Sequence, residues 1–146
     1  MRLADLAGRK VGILGLGLEG QAAIDALNEL KPRPQVIVFN EGPVSTDQTL
    51  DIRVGKFNRQ DLECCDVLVR SPGISIYRPE LAALSVPLLT GTNLWFAQDH
   101  DAQTVAVTGT KGKSTVCALI SHFLTAAGIS NEVSGNFGQP LLSRLS

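Results

Sequence analysis

Two glycine-rich strings, Gly15-Leu16-Gly17-Leu18-Glu19-Gly20 and Thr108-Gly109-Thr110-Lys111-Gly112-Lys113-Ser114-Thr115, each follow a short apolar run and open a helix-like segment. That context makes a glycine string a phosphate site. The first N–H groups of a helix have no intrahelical partner, and the helix dipole leaves partial positive charge beside them. A chain with two such turns is expected to hold two phosphorylated ligands. It is also expected to alternate strands with helices, which gives an α/β fold with a parallel sheet and ligands at the carboxyl ends of its strands.

The apolar pattern fills in that alternation. Lys10 to Leu14 reads as a buried strand, and Leu18 to Leu30 as a helix with apolar positions at Ala22, Ala23, Ala26, Leu27 and Leu30. Lys31-Pro32-Arg33-Pro34 stops the helix, since proline neither continues it nor lets the preceding residue stay helical. Gln35 to Phe39 is the next strand. Ile52 to Gly55 reads as a short strand, and Asn58 to Cys65 as a helical turn capped by Asn58. Val67 to Arg70 is a strand ended by Ser71-Pro72-Gly73, Pro79 to Leu84 a helix with proline in its first turn, and Pro87 to Leu89 a fifth strand. A second β-loop-α unit starts at Thr104 to Thr108 and continues as a helix from Ser114 to Ala127, stopped by Gly128. A turn at Gly135-Asn136-Phe137-Gly138 follows. The boundary between the two parts is expected between Thr90 and Asp101, as residues 1–91 and 92–146. The second part is too short for a usual nucleotide-hydrolase core, so the chain reads as a fragment cut inside its second domain.

Charge and composition narrow the partners. Thirteen basic residues against fourteen acidic ones, scattered along the chain, leave a net charge of −1 and no footprint for nucleic acid or an anionic membrane. No apolar run approaches the roughly 18 residues of a membrane span, and the N-terminus carries Asp5 where a signal peptide would be apolar. A cytoplasmic protein is expected. The three cysteines, two of them adjacent at Cys64 and Cys65, have neither disulfide nor zinc spacing and read as structural thiols.

In the second string, Gly109 and Gly112 permit the backbone angles that aim successive N–H groups at phosphate oxygens, and Lys113 adds positive charge for the outer phosphates. Ser114 or Thr115 offers a hydroxyl to Mg2+. The string departs from G-x-x-x-x-G-K-[ST] at Val107, which stands where the first glycine would be. The first string matches G-x-G-x-x-G, and Glu41 lies about 20 residues beyond it, where a dinucleotide site places its ribose-binding acid. Three readings stay open for it: a nicotinamide dinucleotide, the diphosphate of another nucleotide, or close helix–strand packing without ligand. Ser71-Pro72-Gly73-Ile74-Ser75 also follows a strand and offers hydroxyls and a glycine amide, against the bland reading of a proline-glycine turn. His100 and His122 have no acid or cysteine at ligand spacing, so neither reads as catalytic. Trp95 and Phe96 read as packing at the linker, and Tyr77 as an exposed loop aromatic.

Together, Gly-Leu-Gly-Leu-Glu-Gly-Gln at 15–21, Ser-Pro-Gly-Ile-Ser at 71–75, Val-Thr-Gly-Thr-Lys-Gly-Lys-Ser-Thr at 107–115 and Gly-Asn-Phe-Gly at 135–138 stand in an order and spacing that resembles the Mur ligases. The likeness covers the whole chain and is strongest to members that add glutamate to UDP-N-acetylmuramoyl-L-alanine. It implies an N-terminal Rossmann-like domain for the UDP-sugar, followed by the opening of a central ATPase domain. It further implies an ATP-dependent amide ligase of peptidoglycan precursor synthesis, working through an acyl phosphate with ATP and Mg2+, and acting as a cytoplasmic monomer. The fragment alone is expected to be inactive. Carried over by position, Gly17, Leu18, Glu19, Asn40, Glu41, Ser71, Pro72, Gly73 and Asn136 resemble the UDP-sugar contacts. Gly109, Thr110, Lys111, Gly112, Lys113, Ser114 and Thr115 resemble the ATP loop, with Lys113 on the outer phosphates as the catalytic group and Ser114 or Thr115 near the metal. Lys111 departs from the family's usual asparagine, and Asn40 from a common aspartate. Residues 91–96 lack the acids of the similar segment in the relatives. An NAD-dependent oxidoreductase or a nucleotide-binding regulatory module is the alternative, and it leaves Lys113-Ser114-Thr115 without a task.

Overall fold

A computed structural model describes residues 1–44, 50–82, 84–99, 101–135 and 139–145. The chain forms two compact units, Met1–Gln98 together with Pro140–Ser146, and Asp99–Gln139.

The first unit is a five-stranded, all-parallel sheet. Its strands are β1 (Lys10–Leu14), β2 (Gln35–Asn40), β3 (Asp51–Val54), β4 (Val67–Arg70) and β5 (Leu88–Thr90), in the spatial order β3-β2-β1-β4-β5. The register sets Ile13 beside Val38 and Val69, and Leu14 beside Phe39 and Arg70. The central strands are apolar on both faces because both faces are covered, as parallel sheets require. Strand alternation then divides the buried side chains into two cores. Val11, Ile13, Val38, Val67 and Val69 face α1 (Leu18–Asn28), α3 (Gly91–Phe96) and Leu142. Leu14, Ile37, Phe39 and Leu68 face Phe57, Leu81 and α2 (Arg59–Leu62), which Asn58 caps by accepting the Gln60 N–H at 3.0 Å.

The chain departs from the sequence reading in three places. Residues 79–82 make a turn rather than a helix, with the Leu81 and Ala82 N–H groups both donating to the Arg78 carbonyl at 3.0 Å. Pro87 follows too closely for a helix there to repay its nucleation cost. Residues 91–96, expected as linker, form α3, where Thr90 and Asn93 cap reciprocally. Trp95 is correspondingly buried in the first core, while Phe96 is exposed.

In the second unit, α4 spans Lys113–Ala126 and stops before Gly128, whose φ is +73°. Residues 104–108 are not a strand: among the described residues none pairs with them, and a strand is defined by its neighbour's hydrogen bonds. No residue of α4 is buried, and Val116, Leu119 and Phe123 are exposed. Among the described residues no helix is long and apolar enough to cross a membrane.

Candidate functional site

The strand order reverses direction at β1. One connection leads outward to β2 and β3, and β4 lies on the other side, so β1 is the switch point, its carboxyl end flanked by those of β2 and β4. Gly15 turns the chain there with φ +85°, its N–H donating to the Phe39 carbonyl at 2.9 Å. The Ser71 N–H donates to the Leu14 carbonyl at 2.9 Å, and the Ser71 hydroxyl donates to the Gly15 carbonyl at 3.0 Å. The first and third turns are thus stitched to each other. Arg70 shapes the third turn from behind, where its guanidinium donates to the Ile74 carbonyl at 2.7 Å. Pro72 and Gly73 stand exposed beyond it.

The glycines of the first string do different jobs. A Cβ on Gly20 would lie 2.1 Å from the Gly15 carbonyl oxygen, so Gly20 is required for α1 to approach the turn. A Cβ on Gly17 would meet nothing within 4 Å, and its φ of −99° suits any residue, so the fold has no demand for glycine at 17. Gly17 caps α1 and lines a cavity of about 420 Å3 with Leu16, Leu18, Gln21, Asn40, Pro43 and Val44. Asn40 uses both ends of its amide: Oδ1 accepts the Leu16 N–H at 3.0 Å and Nδ2 donates to the Gly42 carbonyl at 2.8 Å. An aspartate there would keep the first bond and lose the second, which is a physical account of the departure at position 40.

Glu19 points toward α3. Its Oε2 lies 3.2 Å from where a Gly91 Cβ would be, and burial raises its carboxyl pKa above the ordinary 4.5. Glu41 is forked by Arg78, with Nη1–Oε2 at 2.9 Å and Nη2–Oε1 at 2.5 Å. The hydrogen bond from Arg78 holds its carboxyl below the usual range. Both carboxylate oxygens already accept from Arg78, which weighs against the dinucleotide reading, where this acid turns to a ribose.

In the second unit, Gly109 has φ +145° and Gly112, the cap of α4, φ +77°, the left-handed angles that a phosphate-cradling loop requires. Thr110, Lys111, Ser114 and Thr115 are exposed, and the Lys113 ammonium donates to the Gly109 carbonyl. The Ser114 and Thr115 hydroxyls are oxygen donors of the kind Mg2+ takes. Among the described residues no three His, Cys, Asp or Glu side chains gather as a metal site. His122 is exposed on α4 and lines a cavity of about 340 Å3 with Ser114, Ala118, Ser121 and Val133. Asn131, which sequence reasoning passed over, ties the segment after α4 back onto it: Oδ1 accepts from Ser121 at 2.6 Å and Nδ2 donates to the Thr125 hydroxyl at 3.0 Å. Asn136 and His100 lie outside the described residues.

Sequence reasoning also missed Arg70 and Arg78. Each stands beside a proline turn with no pattern to mark it, and each is recognisable only by the carbonyls or carboxylate that the fold brings to it.

The family Mur ligase MurD-like, N-terminal domain, matches residues 9–86. Among curated proteins, the chain is 43% identical over 152 residues to a UDP-N-acetylmuramoyl-L-alanine--L-glutamate ligase of Salinispora tropica, covering 97% of this chain and 34% of the relative. A protein of the same name from Xanthomonas euvesicatoria is 40% identical over 159 residues, covering 99% of this chain and 34% of the relative. The chain thus spans about a third of the length of the curated relatives it matches.

Proposed function

Because this chain belongs to the MurD-like Mur ligase family, we propose that it is the nucleotide-binding part of an ATP-dependent ligase that joins L-glutamate to UDP-N-acetylmuramoyl-L-alanine in peptidoglycan precursor synthesis. The observation that carries the reading is the cavity at the carboxyl ends of β1 and β2, where Gly17, a glycine the packing does not require, faces Asn40 beside the stitched Gly15 and Ser71 turns. A diphosphate lying on the first-string amides accounts for a glycine that the fold does not need. Gly17, Leu18, Glu19, Asn40, Glu41, Ser71, Pro72, Gly73 and Asn136 form the UDP-sugar site in this reading. Residues 1–91 carry it, with α3 and Leu142 completing their core, and the rest of residues 92–146 opens the ATP-binding domain.

Gly109, Thr110, Lys111, Gly112, Lys113, Ser114 and Thr115 hold the ATP phosphates. The Ser114 or Thr115 hydroxyl would hold Mg2+, which would supply charge neutralisation on the phosphate oxygens. A carboxylate oxygen of the UDP-sugar's alanine forms a bond to the γ-phosphorus as the bond to ADP breaks. The amine of glutamate then attacks the acyl carbon, inorganic phosphate leaves, and the amine gives up a proton. Lys113 belongs to the first of these steps. Its ammonium rests on a carbonyl of its own loop and is free to turn to a phosphoryl oxygen, where fixed positive charge lowers the barrier. The enzyme acts in the cytoplasm, as a monomer.

Calorimetric titration of the 146-residue chain tests the first half of the reading, with UDP-N-acetylmuramoyl-L-alanine expected to bind and NADH not. Tight NADH binding without UDP-sugar binding overturns it. Phosphate release by the full-length protein, assayed with ATP, Mg2+, the UDP-sugar and either L- or D-glutamate, tests the second half. Turnover is expected with the L-isomer.

A further inference from the structure

A bidentate ionic contact of the first unit lies beside the cavity rather than in it. Arg78 forks Glu41 across 37 residues of chain, sets its guanidinium carbon 4.7 Å from the centroid of the Phe57 ring, and reaches Glu80 at 3.5 Å with Nε. Phe57 is buried in the second core. The backbone of Arg78 is fixed too, its carbonyl accepting from Leu81, which is buried in the same core, and from Ala82. One end of the contact is therefore rigid. The other end reaches the cavity: Glu41 is exposed and sits directly after the end of β2, two and three residues before Pro43 and Val44, which line it.

Isolated surface ion pairs contribute little, because they give up side-chain entropy and are screened by water. A bidentate fork with one face on an aromatic ring is the exception, since its planar geometry is fixed before the carboxylate arrives. We propose that Arg78 is a positioning residue for the nucleotide: through Glu41 it latches residues 41–44 after β2 and so holds the Asn40 side of the cavity in its binding shape. This rests on the UDP-sugar reading above and deepens it. Glu41 then serves the site by holding its wall, with its carboxylate on Arg78 rather than on a ligand.

The test is a double-mutant cycle on the 146-residue chain, titrated with uridine 5′-diphosphate and, separately, with inorganic pyrophosphate. Thermal unfolding of each variant sets a titration temperature at which it is folded. Arg78→Ala is expected to weaken uridine diphosphate binding by about tenfold, Glu41→Gln by a similar factor, and the pair by no more than either alone, because both remove one coupling. Arg78→Lys keeps the charge without the fork and should recover part of the loss. Pyrophosphate reaches only the first-string amides, so its affinity should stay within about threefold in every variant, which general loosening of the fold would not allow. If the parent binds uridine diphosphate but Arg78→Ala lies within twofold of it, or the two losses multiply, or pyrophosphate binding falls equally, the latch is refuted. If the parent binds no uridine diphosphate, the functional reading fails and the latch fails with it.

Discussion

Gly20→Ala is expected to cripple the first unit although it adds one methyl group. The new Cβ would lie 2.1 Å from the Gly15 carbonyl oxygen and 3.2 Å from its carbon, where ordinary contact begins at 3.4 Å. Backbone must yield, because no flexible side chain is involved. Either α1 slides away from β1 and loosens Ala23, Ile24 and Leu27, all buried in the first core, or the Gly15 carbonyl swings out and drops the Ser71 hydroxyl. Forced overpacking costs about 1–3 kcal/mol and a lost hydrogen bond about 1 more, so a loss near 3 kcal/mol is expected. At about 4–8 °C per kcal/mol for a domain of this size, that lowers the melting temperature by roughly 12–24 °C. Gly17→Ala is the internal control: its Cβ has open space, and its change of cap preference is worth less than about 1 kcal/mol. Differential scanning calorimetry of both variants beside the parent decides the matter. A Gly20→Ala melting point within about 3 °C of the parent would refute the argument that this glycine exists for close packing.

Lys113→Ala in the full-length protein should lower phosphate release by about 10² or more while leaving calorimetric UDP-sugar binding nearly unchanged, since the ammonium serves only the transferring phosphoryl group. Acid should destabilise the chain through Glu41 and Glu63, whose carboxyls are held below the ordinary 4.5 by hydrogen bonds from Arg78 and Arg59 respectively. Their contribution is complete above that value and disappears as pH falls through the lower folded values, so urea midpoints should decline below about pH 4.5, less steeply in Glu41→Gln. Glu19, raised by burial, acts in the opposite sense and becomes less unfavourable as pH falls through its folded value. Iodoacetamide should modify Cys64 and spare Cys65 in the folded chain, as read by mass spectrometry, because Cys64 is exposed whereas burial both covers Cys65 and pushes its thiol up.

The parallel sheet was legible because its signal is local. Each central strand is a short apolar run bounded by glycine or proline, and the order of runs and turns implies crossovers between parallel neighbours. What escaped was set by partners distant in sequence. Nothing in Gly91-Thr92-Asn93 announces a helix until Asn93 turns back on Thr90 and Leu94 and Trp95 find a core to enter. Residues 104–108 carry a strand's pattern without a strand's neighbour among the described residues. At the site, glycine spacing located the first turn but did not distinguish Gly20, which the packing demands, from Gly17, which it does not. Glu41 stood at the distance of a ribose acid, and only the fold reveals Arg78 waiting for it.

The short turn Leu141–Arg144 returns to the first unit after the chain has passed through the second, and Leu142, only 2% exposed, packs into the first core with Leu94 and Trp95. In the grammar of the chain, residues 99–139 are therefore a clause set inside a sentence. The first unit is completed by residues that lie beyond the second one, so it cannot be excised by one cut. A piece ending at Gln98 would bare the apolar ground that Leu142 covers, a truncation comparable to emptying one leucine site, which costs about 2–5 kcal/mol, and one ending at Thr90 would lose Leu94 and Trp95 as well. The piece expected to keep that cover is the one that omits the middle and rejoins Gln98 to Pro140 through a flexible bridge.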